Sequence, residues 1–141
     1  MNFMKQLRKV NRQSTHIANQ RRDYLHKLST EIANRYDAVC VEDLDMKAIS
    51  NKGFGNGKAT MDNGYGMFQN MLTYKLAERG KHLVVVDKWY PSSQICHCCG
   101  HRQPMPLKIR VYQCQECGMV CDGDLNAAIN IKMEGLRLLS A

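Results

Sequence analysis

Apolar positions recur at helical spacing in three parts of this chain and run without interruption in two others. From about Asn2 to Tyr36 there is no Gly or Pro, good helix formers dominate, and Leu25, Leu28, Ile32 and Tyr36 return every three or four residues. That period predicts one long helix, or a pair bent near Ser14 and Thr15, with those four residues on its apolar face. Asp37 to Leu44 holds the run Ala38 to Val41 and stops at Glu42 and Asp43, the pattern of a strand buried on both faces of a parallel sheet. Side-chain alternation sends Glu42 and Asp43 to opposite faces, so only one of them points into a site beyond the strand's carboxyl end.

Asp45 to Asn63 is rich in Gly, Asn and Lys and reads as a surface loop. Its stretch from Gly53 to Lys58 is not a phosphate loop, because Lys52 stands where a glycine is needed and Ala59 where a hydroxyl is needed. Tyr65 to Arg79 carries Phe68, Met71, Leu72 and Leu76 at helical spacing, with Gly80 as its stop. His82 to Trp89, centred on Leu83 to Val86, is a second strand ended by Pro91, and Asp124 to Leu139 is a closing helix. Two strands separated by a helix are expected to be parallel, and they are too few to form a sheet that stands alone.

Between the second strand and the closing helix lie two matching hairpins, Cys96-x-x-Cys99-Gly100 and Cys114-x-x-Cys117-Gly118. Four thiolates complete the closed tetrahedral shell of a structural Zn²⁺, and a glycine after each pair lets the backbone turn around the ion. With no coordination position left open, such a site holds structure and does no chemistry. Cys98 and Cys121 read as spare thiols, although Cys98, His97 and His101 sit close enough to exchange with a ligand. Disulfides fit poorly: the seven cysteines are an odd number, and the Met1 to Lys5 start has no signal-type apolar core.

Charge then narrows the partners. Lys and Arg number 20 against 13 Asp and Glu, a formal +7, which suits a polyanion such as nucleic acid. On the first helix Arg8, Lys9, Arg12, Arg21 and Arg22 stand against only Asp23 and Glu31. That stripe is either a solvated basic face or a set of contacts to nucleic-acid phosphates. No apolar run approaches the roughly 20 residues that span a bilayer, which places the chain in a reducing, cytoplasmic and nucleoid-associated setting. Taken alone, Glu42 and Asp124 are either a strand-end residue and a helix cap, or two carboxylates converging on Mg²⁺.

Three blocks carry a resemblance to a known family: Val39 to Leu44; Trp89 to Ser93 leading into the first hairpin; and the second hairpin leading into Asp124-Leu-Asn-Ala-Ala-Ile-Asn-Ile131. Residues 19–29 and the pair Tyr74, Lys75 add to it. The chain resembles the C-terminal part of the OrfB or TnpB proteins of insertion sequences, RuvC-like nucleases related to type V CRISPR effectors. The resemblance implies an α/β, partial RNase H-like (RuvC) fold lacking its N-terminal strands, with an inserted zinc ribbon. Residues 1–91 would be the partial RuvC-like domain, 92–120 the ribbon and 121–141 the final RuvC helix. It also implies an RNA-guided, Mg²⁺-dependent DNA endonuclease with a guide RNA, in which Glu42 is the second and Asp124 the third catalytic carboxylate.

Asp122 competes for the third role; Asp124 is preferred because it directly precedes Leu125-Asn126-Ala127-Ala128, whose alanines let the helix approach the sheet. Gly123 stands where the family often has Arg. The family's first catalytic Asp, in an Asp-x-Gly strand before the long helix, has no counterpart in this sequence. The chain alone is therefore expected to expose an unpaired strand edge and to cleave little or nothing. Two other readings stand beside it: a non-catalytic nucleic-acid-binding module, or half of a split nuclease whose N-terminal half comes from another chain.

Overall fold

A computed structural model describes residues 2–45, 64–106 and 108–141. Nearly all of the loop expected between Asp45 and Asn63, with its glycine-rich stretch, lies outside the described residues. The described elements are α1 (Asn2–Arg35), β1 (Ala38–Glu42), α2 (Tyr65–Ala77), β2 (His82–Val86), β3 (Val111–Gln113), β4 (Val120–Asp122) and α3 (Gly123–Ser140). No described helix is long and apolar enough to cross a membrane. The chain divides into two compact units, Met1–Asp37 with Met46–His82, and Ala38–Asp45 with Leu83–Ala141.

In the first unit α1 is a single helix, without a bend at Ser14 and Thr15. The Thr15 hydroxyl donates back to the Asn11 carbonyl at 2.9 Å, which occupies it without breaking the ladder. Residues 2–20 are exposed throughout, and packing begins where α1 meets α2. The face it buries is not the expected one: Leu25, Ser29 and Ala33 are buried, Leu28 and Ile32 are half-buried, and Tyr36 is exposed. Small residues four apart open a channel on α1, and the buried Lys75 of α2 fills it. Its ammonium donates to the His26 carbonyl (2.6 Å), Ser29 Oγ (2.8 Å) and Thr30 Oγ1 (2.7 Å), using all three protons. Burial, and then the nearby Arg79, lower its pKa. Lys81 closes the end of α1, donating to the Ala33 and Asn34 carbonyls at 2.9 and 3.1 Å, where a cation suits the negative pole of the helix.

In the second unit β1 and β2 form a two-stranded sheet. Asp37 O accepts from His82 N–H at one end and Asp43 N–H donates to Val86 O at the other, so the strands run parallel as expected. β2 ends at Val86 and not at Trp89, because the Asp87 carboxylate accepts the Trp89 N–H at 2.7 Å and turns the chain. Every residue of β1 is half-buried, where burial on both faces was expected. Within its unit one helix, α3, covers one face of this narrow sheet. The close approach is made at Gly135, where an added Cβ would collide with Cys40 and lie 3.7 Å from Val84 Cγ1. It is not made at the expected alanines: Ala127 is half-buried and Ala128 is exposed.

Because this contact has no spare volume, Gly135→Ala should destabilise the protein by about 1–3 kcal/mol. The check is a lowered urea midpoint at unchanged slope; an unchanged midpoint would show that helix and strand are not in contact there.

Candidate metal centre and acidic edge

Each cysteine hairpin folds by the same local hydrogen bonds. Cys96 N–H donates to His101 O and Gly100 N–H to Cys96 O, both at 2.8 Å; Cys114 N–H donates to Met119 O at 2.8 Å and Gly118 N–H to Cys114 O at 3.1 Å. Closing these turns requires positive φ, 76° at Gly100 and 74° at Gly118, which is why glycine follows each pair. Gln103 joins the two hairpins: its Nε2 donates to Gln113 O at 2.8 Å and its Oε1 accepts from Gln115 N–H at 2.9 Å.

The sulfurs of Cys96, Cys99, Cys114 and Cys117 all lie within 4.8 Å of one another, with Cys96 and Cys117 3.7 Å apart and Cys99 and Cys114 3.6 Å apart. Four sulfurs placed tetrahedrally around Zn²⁺ at 2.3 Å sit roughly 3.8 Å from each other, whereas a disulfide needs about 2.05 Å. The cluster therefore fits a zinc ion and no disulfide. The Cys117 N–H, 3.5 Å from Cys114 Sγ, leads the interactions that lower the pKa of this thiol. Cys98 is exposed outside the cluster and Cys121 packs against its apolar side, as spare thiols should. That side is filled by Tyr112, fully buried, whose hydroxyl donates to Gln94 O at 3.2 Å. Burial first, then the neighbouring thiolates, push its pKa up to about 12.

Two asparagines that sequence reasoning passed over tie this ribbon to α3. Asn126 Nδ2 donates to Ile95 O at 2.7 Å, and its Oδ1 accepts from His97 N–H at 3.1 Å. Asn130 Nδ2 donates to Ser92 O at 2.8 Å and to Ile95 O at 2.6 Å. Both side chains are buried. Their signal was present in the sequence, as two polar residues four apart on what must be one face of a helix.

β4 runs directly into α3, and the junction separates the two competing aspartates. Asp122 Oδ1 accepts from Asp124 N–H at 2.9 Å and Leu125 N–H at 3.0 Å, which makes it the N-cap. Asp124 is exposed and borders a cleft of about 130 Å³ shared with Ser93, Arg110 and Ala127. On β1, Cys40 faces α3, so alternation turns Glu42 to the same side and the exposed Asp43 to the other. Burial raises the pKa of Glu42.

The chain leaving the carboxyl end of β2 is held by Asn126 and Asn130, so the strands point toward the first half of α3. From the contact of Cys40 with Lys132 and Gly135, Glu42 and Asp124 are displaced in the same direction. Of the basic residues, Arg8, Lys9, Arg12 and Arg22 are exposed, with Arg8, Arg12 and Arg22 clustered on one arc of α1. Arg21 is half-buried and lies apart, its stem beside Gly64.

Residues 65–131 match the family described as "Cas12f1-like, TNB domain", and residues 1–52 match OrfB_IS605, described as "Probable transposase". A protein of Streptomyces pristinaespiralis, named as a candidate RNA-guided DNA endonuclease, is 41% identical over 96% of this chain and 33% of its own length. InsQ of Escherichia coli K12, similarly named, is 32% identical over 99% of this chain and 38% of its own length. The TnpB-like protein L79 of Acanthamoeba polyphaga mimivirus is 31% identical over 93% of this chain and 25% of its own. The chain thus spans between a quarter and two-fifths of these relatives. Among solved structures, the Cas12f1 chain of a complex with sgRNA and target DNA shares the fold, with a TM-score of 0.63 at 21% identity over 92% of this chain and 40% of that one.

Cys114→Ser should reduce bound zinc from one ion per chain to well below one and unfold the ribbon, since such sites contribute about 10–16 kcal/mol in model peptides. Asn130→Ala should lower stability by about 1–3 kcal/mol with zinc content intact. Zinc stoichiometry and denaturation measured on both variants check the two roles, and full zinc in Cys114→Ser would remove that ligand.

Proposed function

The chain belongs to the OrfB/TnpB family of insertion-sequence proteins, and on that premise we propose that it is a nucleic-acid-binding, RuvC-like nuclease domain carrying a structural zinc ribbon. One observation supports this most: α3, which has Asp124 in its first turn, lies over the face of β1 to which Glu42 turns. Residues 1–91 make up the partial RuvC-like domain in this reading, 92–120 the ribbon and 121–141 the closing helix.

Glu42 and Asp124 are the residues that would hold Mg²⁺. Both offer carboxylate oxygens, the ligand this hard cation takes; Asp122 and Asp124 are both exposed, and the helix cap takes one carboxylate oxygen of Asp122, which favours Asp124 for the role. Partial burial of Glu42 removes water that would compete for the cation. When bound, the ion supplies an activated water and stabilises the leaving oxygen of a DNA phosphodiester. Arg8, Lys9, Arg12, Arg21 and Arg22 hold phosphates of DNA or a guide RNA, which fixes position without reading sequence.

Two carboxylates grip such an ion less firmly than three. The β1–β2 sheet has edges on which a further strand bearing a third can pair, supplied by a longer form of the chain or by a second polypeptide. Residues 1–141 alone are therefore expected to cleave DNA weakly or not at all.

Cleavage of DNA in Mg²⁺ should rise when a segment with the third carboxylate is added, and Glu42→Gln or Asp124→Asn should abolish it with zinc content unchanged. Cleavage that survives both substitutions overturns the assignment; DNA held without cleavage in every combination leaves a binding module. Binding itself should weaken with a log–log salt slope near −4.5 for about five phosphate contacts, and Arg8→Ala with Arg12→Ala should flatten that slope by about 2. Titrations at several salt concentrations read both values, and a salt-insensitive affinity would return α1 to a solvated basic helix.

A further inference from the structure

The turn after β2 presents an aromatic ring that the fold does not use. Trp89, the one tryptophan in the chain, is 81% exposed. Tryptophan in a folded protein is on average highly buried, so an indole held out in solvent calls for a ligand. The backbone that carries it is fixed: the Trp89 main-chain N–H donates to the Asp87 carboxylate at 2.7 Å, Tyr90 N–H donates to Asp87 O at 3.0 Å, and Ser92 N–H donates to Tyr90 O at 2.8 Å. Tyr90 is half-buried, and Pro91 fixes the next backbone angle.

One face of the indole is occupied by a cation. Lys88 Nζ lies 5.3 Å from the ring centroid and 3.8 Å from the Asp45 carboxylate, which pins the ammonium between the segments that follow β1 and β2. Most of the ring's surface stays exposed beside that contact. The turn is also well placed: the strands are parallel, Asp43 N–H meets Val86 O at 2.9 Å, and the turn that carries Trp89 therefore leaves the sheet at the same carboxyl edge as Glu42. Ligands of parallel sheets bind at that edge.

We propose that Trp89, backed by Lys88, is a stacking platform for an unpaired base of single-stranded nucleic acid, holding the strand beside Glu42. This rests on the nucleic-acid reading above and adds to it a position and a preference. A π-face accepts any base, so the platform favours unpaired over paired strands without selecting sequence. The neighbouring ammonium supplies a phosphate contact that a surface for an apolar protein partner would not need. A rigid ring loses little freedom on binding, so its contact adds directly to affinity.

Because Trp89 is the sole tryptophan, its emission reports this site alone. The zinc-loaded full chain is titrated with oligo(dT), with oligo(U), with an abasic oligonucleotide of the same length and with a duplex, while anisotropy follows total binding. The expected result is quenching by oligo(dT) or oligo(U), the stronger of the two identifying DNA or RNA as the preferred strand, and little quenching by the abasic strand or the duplex. Trp89→Ala should weaken binding of the base-bearing strands about 5- to 100-fold and leave the abasic strand unchanged. Trp89→Phe should restore part of the loss. Zinc content and circular dichroism should match wild type in both variants, as suits an exposed side chain. Binding by anisotropy with unchanged emission, or Trp89→Ala binding the base-bearing strands as tightly as wild type does, overturns the platform and spares the wider reading. Absence of binding by every oligonucleotide at low salt overturns both.

Discussion

Four sulfur atoms within 4.8 Å of one another are the constraint on which the second unit depends. The segment they organise has little core of its own: Tyr112 is its large buried side chain, and β3 and β4 are three residues each. Ribbons of this size gain most of their folding energy from the ion. What the four sulfurs fix does not stop at the ribbon. The carbonyls of Ser92 and Ile95, set by the first hairpin, receive the amides of Asn126 and Asn130, and the helix so held presses Gly135 against Cys40. Position passes from sulfur to carbonyl to helix to strand, and Asp124 and Glu42 stand at the far ends of that chain of contacts.

Much of this was legible in the sequence because it is encoded locally. A C-x-x-C-G hairpin folds through bonds between residues four or five apart, so two copies announce both the turns and the cluster. α1 and α2 were legible from their period and Gly80 marks the end of α2 by its own backbone geometry, whereas the cap of α3 is Asp122 and not the Asp124 offered for that role by the sequence. What stayed hidden depends on residues distant in sequence. No pattern within α1 says that Ser29 and Ala33 are buried in place of Tyr36, because the reason is an ammonium contributed by Lys75. Hydrophobicity likewise could not show that Asn126 and Asn130 are the buried anchors of α3, since their partners lie 29 to 38 residues earlier. The half-burial of β1 was misjudged for a related reason: an apolar run reports a tendency, and the number of helices covering it is set elsewhere.

The two aspartates at the start of α3 show how one helix end can divide its tasks. Asp122 satisfies backbone donors and is held in place by doing so, which leaves the next acidic residue, Asp124, exposed at the cleft. The parallel strands contribute their own carboxyl edge, where the segments that follow them are joined by the Lys88–Asp45 pair, and such edges are where parallel sheets leave backbone and side chains open to a ligand.

α1 has a further consequence. Its first nineteen described residues rest on nothing, its first turn has no acidic residue, and Lys5, Arg8 and Lys9 crowd the end where the peptide dipoles are already positive. A helical stretch of that length is marginal in water without packing, and here the electrostatics work against it. An anion laid along it would relieve that repulsion, so the helix should gain order from what it binds. Amide protons there should then exchange fastest in the free protein and slow on complex formation, linking the stiffness of this arm to occupancy.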